Sequence, residues 1–544
     1  MGVSSVTALL FLSSIVAAYL LGRLLRPQDD RLPLPPGPKG LPFLGNINDL
    51  PKPGMLECHH WLKHKELYGP ISSVTVLGQT FVIINDAQIA LELLRDRSAM
   101  HSGRPHMIFS SDMIGWKNTL AFSGYTDTFR LHRKNIASVA GSTVSLSIFD
   151  RVQEEEAVHF LLNLLSSPEN LFAHIEKEAG AVILKITYGY TAEAHGKDPL
   201  VDMAVKTMHE FAEATVPGKW PVDIMPFLQY APEWLPIAGF KRTARQMAAQ
   251  LHQTTEQPYQ FVKEQMRQNK AKTSFLSQAI ENIKSDSDTD MERIHKWSAS
   301  SMYLGGADTT VSSLMTFFLA IARFPDVQTK AQEELDRVIG DRLPVSADRN
   351  QLPYIRALVS ETHRWHPVAP MALPHASTKD DVINGYRIPK GSLLLPNNWF
   401  ASHYRNMQQL LMKSRWFTHD PSVYESPMDF NPERYLKAEP EPDPREWIFG
   451  YGRRVCPGRY VADNALFLTI AQTLAVFRIE KLVDENGKVV EPEMKFEAGV
   501  VSHPVPYRVS IKPRSEKHGF MIREAEKQYP WQESDAKTLE SVKW

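Results

Sequence analysis

A cysteine, Cys456, lies in the segment Phe449–Arg459 (FGYGRRVCPGR), which also holds three glycines and three arginines and precedes a helical pattern over 461–476. A thiol placed just before a helix meets free backbone N–H groups and the positive end of the helix dipole. Both favour the thiolate, and the arginines add positive charge. The glycines leave room for a flat group to approach the backbone. The segment therefore predicts a reactive or metal-binding thiolate beside a planar partner.

Several kinds of cysteine chemistry are excluded by what the chain lacks. It holds no CxxC, which excludes zinc ribbons and thioredoxin-type sites, and no GxSxG or HExxH. A cysteine nucleophile needs a partner histidine, whereas the arginines here suit carboxylates better. Haem meets both needs, with iron for the thiolate and propionates for the guanidinium groups. A buried inert thiol is the alternative for an isolated cysteine.

A second segment, Gly305-Gly306-Ala307-Asp308-Thr309-Thr310, interrupts a helical pattern over 294–324. Two adjacent glycines inside a helix cost roughly 2 kcal/mol relative to alanine, so stability does not explain them. They predict a widened turn where a small molecule approaches the backbone, with the carboxylate of Asp308 and the hydroxyl of Thr309 beside it. The alternative is a bent core helix whose polar groups are satisfied internally.

The cysteine segment resembles the haem-binding signature of the cytochrome P450 superfamily, the haem-thiolate monooxygenases. The resemblance implies that Cys456 is the proximal iron ligand of haem b. It further implies that Asp308 and Thr309 form an acid–alcohol pair that delivers protons to dioxygen. The cofactor-binding residues of the loop are then Phe449, Gly450, Cys456, Arg454 and Gly458. Fungal microsomal members are the most similar, near the branch that includes O-methylsterigmatocystin oxidoreductase.

Glu361 and Arg364 stand three residues apart, and Arg434 follows in Phe-Asn-Pro-Glu-Arg-Tyr. Such a pair alone is usually an exposed salt bridge. Together the three resemble the family's Glu–Arg…Arg triad, which implies a structural role behind the cysteine loop.

Two further basic residues, Arg133 and His375, resemble the family's propionate contacts. Phe129 stands where the family usually has tryptophan, so one hydrogen bond is lost there. Without the resemblance both would be interpreted as solvated basic surface.

The resemblance also implies the reaction: insertion of one oxygen atom from O2 into an apolar organic molecule, in fungal secondary metabolism. Electrons would come from NADPH through a separate flavoprotein reductase, since the chain has no GxGxxG of its own, and Arg133-Lys134 is the expected docking face. Matching positions suggest these substrate contacts: Met107, Ile108, Phe109, Leu304, Ala307, Ala372 and Val501.

The elements that must position these residues form, by resemblance, a cytochrome P450 fold, which is mainly α with small β-sheets. The 544 residues would allow several domains, but the motifs spread one apparatus from Phe129 to Cys456, so we expect one large haem domain over 41–515. A net charge of −1 gives no reason to expect a nucleic acid partner. Two cysteines cannot form a disulfide framework.

The chain starts with an uncharged run over 3–22, long enough to cross a bilayer as a helix. A cleaved signal peptide is the alternative, but a basic start and a small-residue cleavage site are lacking. Arg23 and Arg26 would keep the rest in the cytoplasm, which predicts a single-pass protein of the endoplasmic reticulum. The proline-rich stretch 27–40 predicts a stiff linker.

Local patterns predict a hairpin over 72–85 that turns at Gly78-Gln79, and helices over 149–165, 201–215 and 240–268. The proline-broken, aromatic segment 217–236 cannot be one helix and is either a packed loop or a surface for membrane or apolar ligand. We expect the charged C-terminal extension 516–544 to be weakly ordered.

Residues 399–415 depart from the family pattern, which resumes at Trp416-Phe417 after an earlier Trp399-Phe400. They are either a surface insertion or, as we favour, the translation of an intron that was left unspliced in the predicted coding sequence. Two alternative functions follow: a haem-thiolate isomerase, which would not need Asp308 and Thr309, or a non-catalytic haem protein if this segment disrupts the site. A cysteine hydrolase is the alternative from outside the haem proteins.

Overall fold

The computed structural model describes residues 32–52, 54–283, 289–399, 418–419 and 423–542. This part of the chain is mainly helical with three small sheets, which confirms the predicted fold class. The helices are α1 (Glu57–Tyr68), α2 (Ala87–Ala90), α3 (Asp127–Ala140), α4 (Thr143–Leu146), α5 (Asp150–Ser166), α6 (Leu171–Tyr188), α7 (Pro199–Ala214), α8 (Pro221–Ile224), α9 (Phe240–Arg267), α10 (Phe275–Glu281), α11 (Thr289–Arg323), α12 (Pro325–Val338), α13 (Pro353–Trp365), α14 (Arg459–Val476), α15 (Glu516–Gln528) and α16 (Ala536–Glu540). The strands are β1 (Ile71–Val76), β2 (Gln79–Ile84), β3 (His375–Ala376), β4 (Asp381–Ile383), β5 (Tyr386–Ile388), β6 (Leu393–Pro396), β7 (Phe477–Val483), β8 (Val489–Val490) and β9 (Val509–Pro513).

The three helices predicted from periodicity are confirmed as α5, α7 and α9, with ends within two residues of the prediction. Local chemistry fixes their ends. The Asp198 carboxylate accepts hydrogen bonds from the N–H groups of Leu200 and Val201, and Pro199 occupies the first helical position of α7. Helix α6 ends where Gly189 adopts a left-handed conformation with φ of 67°.

Helix α11 is the central element, 35 residues long, and it packs lengthwise on α6. Its C-terminal half contributes fully buried side chains, among them Leu314 and Phe317, to the largest apolar core. The helix continues without a break through residues 305–310, so the predicted interruption is wrong. Within the described chain, 290–323 is the one helix apolar and long enough to span a membrane, but 78% of its most apolar window is buried in the protein. It is a core helix.

The predicted hairpin is confirmed as β1–β2, with its turn at Leu77-Gly78 rather than one residue later. Both turn residues have positive φ, 48° and 87°, which matches the twist of a two-residue hairpin turn. Strand β2 pairs with β6 in parallel, and β6 pairs with β3 in the antiparallel direction. This four-stranded sheet places His375 opposite Leu394.

The segment 217–236 is not one helix, as predicted, but a series of short helical turns, and part of it is a packed loop. Trp220, Val222 and Leu228 are buried in an apolar core. By contrast, Phe227 is 66% exposed, and Tyr230 and Trp234 are each 80% exposed.

The C-terminal extension is ordered, so the expectation of weak order is wrong. Helices α15 and α16 bury Ile522 and Leu539 almost completely. The Trp531 ring stacks on His159 at 3.9 Å between centroids, and Asp535 accepts a hydrogen bond from the N–H of Thr191 at 2.8 Å. The apolar residues are too widely spaced for periodicity to show, but α15 packs beside α5 and α16 packs beside α9.

Two predicted features lie outside the described residues: the membrane-spanning run 3–22 and all of the insertion 399–415 except Trp399. Trp399 is buried, and its ring lies 3.9 Å from that of His59 between centroids. Next to it, the Asn398 carbonyl oxygen accepts a hydrogen bond of 2.9 Å from the Thr418 hydroxyl, so the chain leaves and re-enters the described fold at one place.

Candidate active site

Cys456 lies between a short 3₁₀ turn, Gly452–Arg454, and the start of α14 at Arg459. Its backbone N–H donates to the Phe449 carbonyl oxygen at 2.7 Å, which closes the loop on itself. A side chain at Gly452 would come within 2.6 Å of the Leu94 carbonyl oxygen, so this glycine is required by packing rather than by a planar ligand. A side chain at Gly458 would contact the Cys456 sulfur at 4.0 Å, so glycine there keeps that side of the thiol open.

The protonation of Cys456 differs from the expectation. The Gly458 N–H and the charges of Arg133 and Arg459 lower the pKa of the thiol, but burial raises it by more, so the net shift is upward. The loop by itself therefore does not generate the thiolate. A metal cation bound to the sulfur would supply the missing stabilisation, because metal binding is coupled to loss of the thiol proton.

Two of the predicted cationic contacts lie close to Cys456: Arg454 is in the cysteine loop itself, and Arg133 reaches the loop from α3. Arg133 donates to the Val455 carbonyl oxygen, next to Cys456. The Arg454 guanidinium lies over the Phe129 ring at 3.9 Å, and its Nε donates to the Ser102 carbonyl oxygen at 2.9 Å. Its Nη2 is buried and has no hydrogen-bond partner, which is costly unless a ligand supplies an acceptor.

A third guanidinium, that of Arg104, belongs to the same cluster and was missed from the sequence. It donates to the carbonyl oxygens of Ala121, Leu373 and Pro374 at 2.7–2.9 Å. Burial and the charge of Arg454 hold the pKa of Arg104 well below its usual value. The role of Arg104 cannot be predicted from a local pattern, because its hydrogen-bond partners come from two distant parts of the chain. A Gly-Arg-Pro at the end of an apolar helix region is the one local signal.

His375 completes the cluster. It is buried in β3, with its Nδ1 at 2.7 Å from the His101 carbonyl oxygen. Burial first, and then the charge of Arg104, hold the pKa of His375 well below its usual value, so the ring is neutral. It presents a hydrogen-bonding group beside the guanidinium groups.

The donor set fits haem. Arg104, Arg133 and Arg454 form no ion pair with any carboxylate among the described residues, although burial penalises each charge. Unneutralised guanidinium groups next to a thiol suit a ligand that carries both a metal and two carboxylates. The unpartnered Arg454 Nη2 gives the same indication.

Asp308 and Thr309 lie on α11, where the two glycines serve different ends. A side chain at Gly306 would meet the Ile183 side chain at 2.7 Å, so Gly306 allows α6 and α11 to pack closely. A side chain at Gly305 would meet nothing within 4 Å, so open space adjoins the helix there. The Thr309 hydroxyl donates to the Gly305 carbonyl oxygen at 2.6 Å beside that space.

The Asp308 carboxylate has a partner that was missed from the sequence. His503 Nε2 lies 3.1 Å from Asp308 Oδ1. A histidine inside the apolar run 500–507 is the one sequence signal for it, and its partner lies nearly two hundred residues away.

The structure brings Glu361, Arg364 and Arg434 together in the interior. Arg364 donates to both oxygens of Glu361 at 2.7 and 2.9 Å, and Arg434 donates to one of them at 3.1 Å. All three are at most 1% exposed. The guanidinium of Arg364 also holds the carbonyl oxygens of Thr418 and Pro427, which precede the cysteine loop in the chain.

The predicted substrate contacts divide into two groups. Met107, Ile108, Phe109 and Leu304 share one apolar cluster, in which the Phe109 ring stacks on Trp220 at 3.7 Å. The other three lie outside this cluster. Ala307 packs in the adjoining core, whereas Ala372 and Val501 are half-buried and their neighbours Leu373 and Val500 contact the cluster instead.

One other group of possible metal ligands, Glu155, Glu156 and His159, occurs in the described ranges. Lys185 lies 3.0 Å from a Glu155 oxygen and 2.5 Å from a Glu156 oxygen. Its ammonium group supplies the positive charge that a metal would bring, so this group is a buried ion-pair network.

Comparison with known proteins agrees with this geometry. Residues 35–511 match the family described as cytochrome P450. The cytochrome P450 monooxygenase claR of Ampulloclitocybe clavipes is 43% identical over 515 residues, 94% of this chain and 91% of that protein. The cytochrome P450 monooxygenase ppsD of Aspergillus oryzae is 43% identical over 519 residues, 94% of both chains. O-methylsterigmatocystin oxidoreductase of Aspergillus flavus is 39% identical over 527 residues, 96% of both.

Enzymes of this kind act on O2 and an organic substrate and take electrons from a redox partner. Since the family match and the relatives cover nearly all of the chain around the thiol and its cations, the protein belongs to the cytochrome P450 family: it is a monooxygenase whose cofactor is haem b.

Proposed function

We propose that the protein inserts one oxygen atom from O2 into an apolar organic substrate in fungal secondary metabolism. The observation that carries this proposal is the arrangement on α11. Leu304, in the apolar cluster, lies one helical turn from Asp308, and the open space at Gly305 adjoins the Thr309 hydroxyl. An apolar binding surface and a proton-carrying pair thus share one stretch of helix.

The haem would be held by Cys456 at the iron and by the cationic cluster at the propionates. Arg133, Arg454 and Arg104 supply the charges, and His375 supplies a neutral hydrogen-bonding ring. The bound haem supplies the activation of O2, with electron donation by the thiolate favouring O–O cleavage. Glu361, Arg364 and Arg434 would hold the chain segment that leads to the cysteine loop.

Proton supply falls to α11. The Thr309 hydroxyl donates its one proton to the Gly305 carbonyl oxygen, which leaves its lone pairs free to accept a hydrogen bond. To deliver that proton, the hydroxyl would turn away from the carbonyl as its oxygen takes up a replacement proton. Asp308, the adjacent titratable group, would reload it. The substrate would be positioned by Ile108, Phe109 and Leu304, with Met107, Ala307, Ala372 and Val501 at the margins.

Electrons would come from NADPH through a separate flavoprotein reductase. The predicted docking face is revised in one respect, because Arg133 is turned inward onto Val455. Lys134 is exposed, and Arg130 and Arg453 both lie over the Tyr125 ring, at 5.0 and 5.2 Å. This exposed basic group next to the cysteine loop is where an acidic partner would bind.

Membrane attachment would use the run 3–22 and, as a second contact, the exposed aromatic residues of 217–236. The membrane would be the endoplasmic reticulum, with the haem domain in the cytoplasm. Aromatic side chains such as Tyr230 and Trp234 are suited to a bilayer interface. A protein lacking residues 1–31 should still bind lipid vesicles, and Trp234→Ser together with Tyr230→Ser should release it. Unchanged binding of the double variant would contradict the second contact.

The test of the reaction is product analysis under isotopically labelled dioxygen. The enzyme, with NADPH and a flavoprotein reductase, is supplied with a panel of apolar compounds. The proposal predicts a product that gains one labelled oxygen atom and is lost in Thr309→Ala. An isomeric product without added oxygen would favour the isomerase, and a product whose added oxygen carries no label would contradict a monooxygenase reaction.

A further inference from the structure

The ion pair between His503 and Asp308 joins two distant parts of the chain at the proton-carrying pair. Nε2 of His503 lies 3.1 Å from Oδ1 of Asp308, and the two side chains are 22% and 19% exposed. Two partly buried groups of opposite charge at this distance stabilise each other's charged forms. Thr309 is the next residue, so the ion pair holds the same turn of α11 that carries the hydroxyl.

The position of His503 is fixed from two sides. The Ser312 hydroxyl, one turn beyond Asp308 on α11, donates to the carbonyl oxygen of Ser502 at 2.7 Å. His366, just after α13, contacts the Ser502 hydroxyl through Nε2 at 3.0 Å. Because the residue before His503 is tied to α11 and α13, the imidazole is held against Asp308.

The charged surroundings of His503 favour its protonated form. Asp308 on α11, Glu176 on α6 and Glu497 on its own segment are the acidic groups that face it. His366 is a titratable base near His503, and burial lowers its pKa to about 3, so it is neutral. Burial lowers the pKa of His503, but hydrogen bonding and attraction to Asp308 outweigh this, and the net shift is upward.

We propose that His503 is the positioning residue of the proton path: its imidazolium holds Asp308 ready and passes a proton to it, with Glu176 as the group that reloads the ring. In this step the Nε2–H bond breaks and an Asp308 O–H bond forms, leaving neutral imidazole and a carboxylic acid. The acid then gives its proton to the Thr309 oxygen as the Thr309 hydroxyl passes its own proton into the open space at Gly305, so Thr309 stays neutral and Asp308 returns to the carboxylate. Glu176, half-buried on α6, is near enough to interact electrostatically with both His503 and Asp308. The inference rests on the proposed role of Asp308 and Thr309.

The first test follows the pKa of His503 without turnover. In the reduced, carbon monoxide-bound protein labelled with carbon-13 at histidine ring carbons, His503 is assigned as the resonance missing from His503→Gln. We expect it to titrate above the usual histidine pKa of about 6.5. Asp308→Asn should lower its midpoint at least to that value, and Glu176→Gln should lower it by less. A midpoint at or below that value in the unsubstituted protein would overturn the inference.

The second test is the pH profile of NADPH oxidation with reductase and O2. His503→Gln should slow oxidation about tenfold and flatten the decline that the unsubstituted enzyme shows as pH rises through the His503 midpoint. His503→Lys, which restores a cation, should recover part of the rate, whereas the same His→Gln change at exposed His252 should alter nothing.

The two proposals fail separately. If Asp308→Asn leaves oxidation and its pH profile unchanged, the relay of Asp308 and Thr309 is wrong. If Asp308→Asn slows oxidation while His503→Gln does not, the relay stands and the role of His503 is wrong.

Discussion

Arg104 is the residue whose unneutralised charge most clearly fits a haem propionate. Its guanidinium is held by three carbonyl oxygens and forms no ion pair with a carboxylate in the described parts of the chain. A charge fixed in this way, beside a second guanidinium in Arg454, raises the local positive potential. Two carboxylates would relieve it, which links the residue directly to haem retention.

We predict that Arg104→Gln loses haem about 10- to 100-fold faster, since a hydrogen bond to a charged group contributes about 1.5–3 kcal/mol. Haem transfer to apomyoglobin measures the rate. Arg130→Gln, at an exposed arginine paired with Asp127, is the matched control. Equal rates for the two variants would show that Arg104 does not hold the cofactor.

His363 gives a prediction about pH. It is 5% exposed, its Nε2 has no hydrogen-bond partner, and burial lowers its pKa to about 4. Because the unfolded chain takes up this proton near pH 6.5 and the folded protein does not, stability falls as the pH drops below 6.5, until the folded ring is also protonated. The loss from this group is about 2 kcal/mol between pH 6.5 and 5.

His363→Leu should therefore match the unsubstituted protein near pH 7 and exceed its stability by about 2 kcal/mol at pH 5. Urea unfolding at the two pH values measures this difference. His252→Leu, at an exposed position, should show no such gain. A gain in His363→Leu that is the same at both pH values would point to packing rather than titration.

The sequence predicted the residues of the site only where an uncommon combination of residue types stands in one short segment. A lone cysteine between glycines and arginines, and an acid–alcohol pair beside two glycines, are visible in one sequence. Arg104 and His503 are not, because their meaning depends on Leu373 and Asp308, to which only the folded chain brings them.

Among the elements, α15 shows best how the C-terminal extension contributes to the fold. Ile522 is fully buried in the main apolar core, whereas Phe520, two residues earlier on the same helix, is 59% exposed. Deleting a buried isoleucine side chain removes apolar contacts and leaves a cavity, while truncating an exposed ring does neither.

We predict that Ile522→Ala lowers the free energy of unfolding by about 2–4 kcal/mol and that Phe520→Ala lowers it by less than about 1 kcal/mol. Denaturant unfolding of both variants provides the comparison. Similar small losses in both would mean that α15 is docked only weakly.

The insertion 399–415 is the element whose structure could be predicted neither from periodicity nor from the family pattern. At its ends, the Thr418 N–H lies 3.5 Å from the Asn398 carbonyl oxygen, and Arg364 donates to the Thr418 carbonyl oxygen at 2.8 Å. If residues 399–415 are removed, the repeated Trp-Phe makes Thr418 the third residue after Asn398. The existing contact then becomes the closing hydrogen bond of a β-turn.

We predict that the protein lacking 399–415 folds, binds haem as well as the full chain, and is more stable by about 1–2 kcal/mol, because a shorter loop costs less entropy to close. Thermal unfolding and haem content test this. Loss of haem in the shortened protein would show that the segment is an integral insertion. Transcript sequencing is the independent check, since a cDNA that retains these codons would exclude the intron.

At the scale of the whole molecule, α11 is the central helix, and the other helices of the core pack around it. Helix α11 packs on α6 through Gly306 and Ile183 and carries Asp308 and Thr309, while α14 begins at the cysteine loop. The mainly helical character could be predicted because the motifs resemble those of a family with that fold, while the extent of the haem domain, 41–515, stays a prediction. The continuity of α11 and the order of the C-terminal extension could not, since both depend on packing between helices that no local pattern encodes.

The central claim is that Cys456 binds haem iron as a thiolate, and the spectrum of the reduced protein with carbon monoxide tests it most directly. We expect the red-shifted Soret band of thiolate ligation in the unsubstituted protein and in Cys58→Ala, which removes the other cysteine. In Cys456→Ser that band should be lost. A histidine-type band in the unsubstituted protein, or a red-shifted band that survives in Cys456→Ser, would contradict the account.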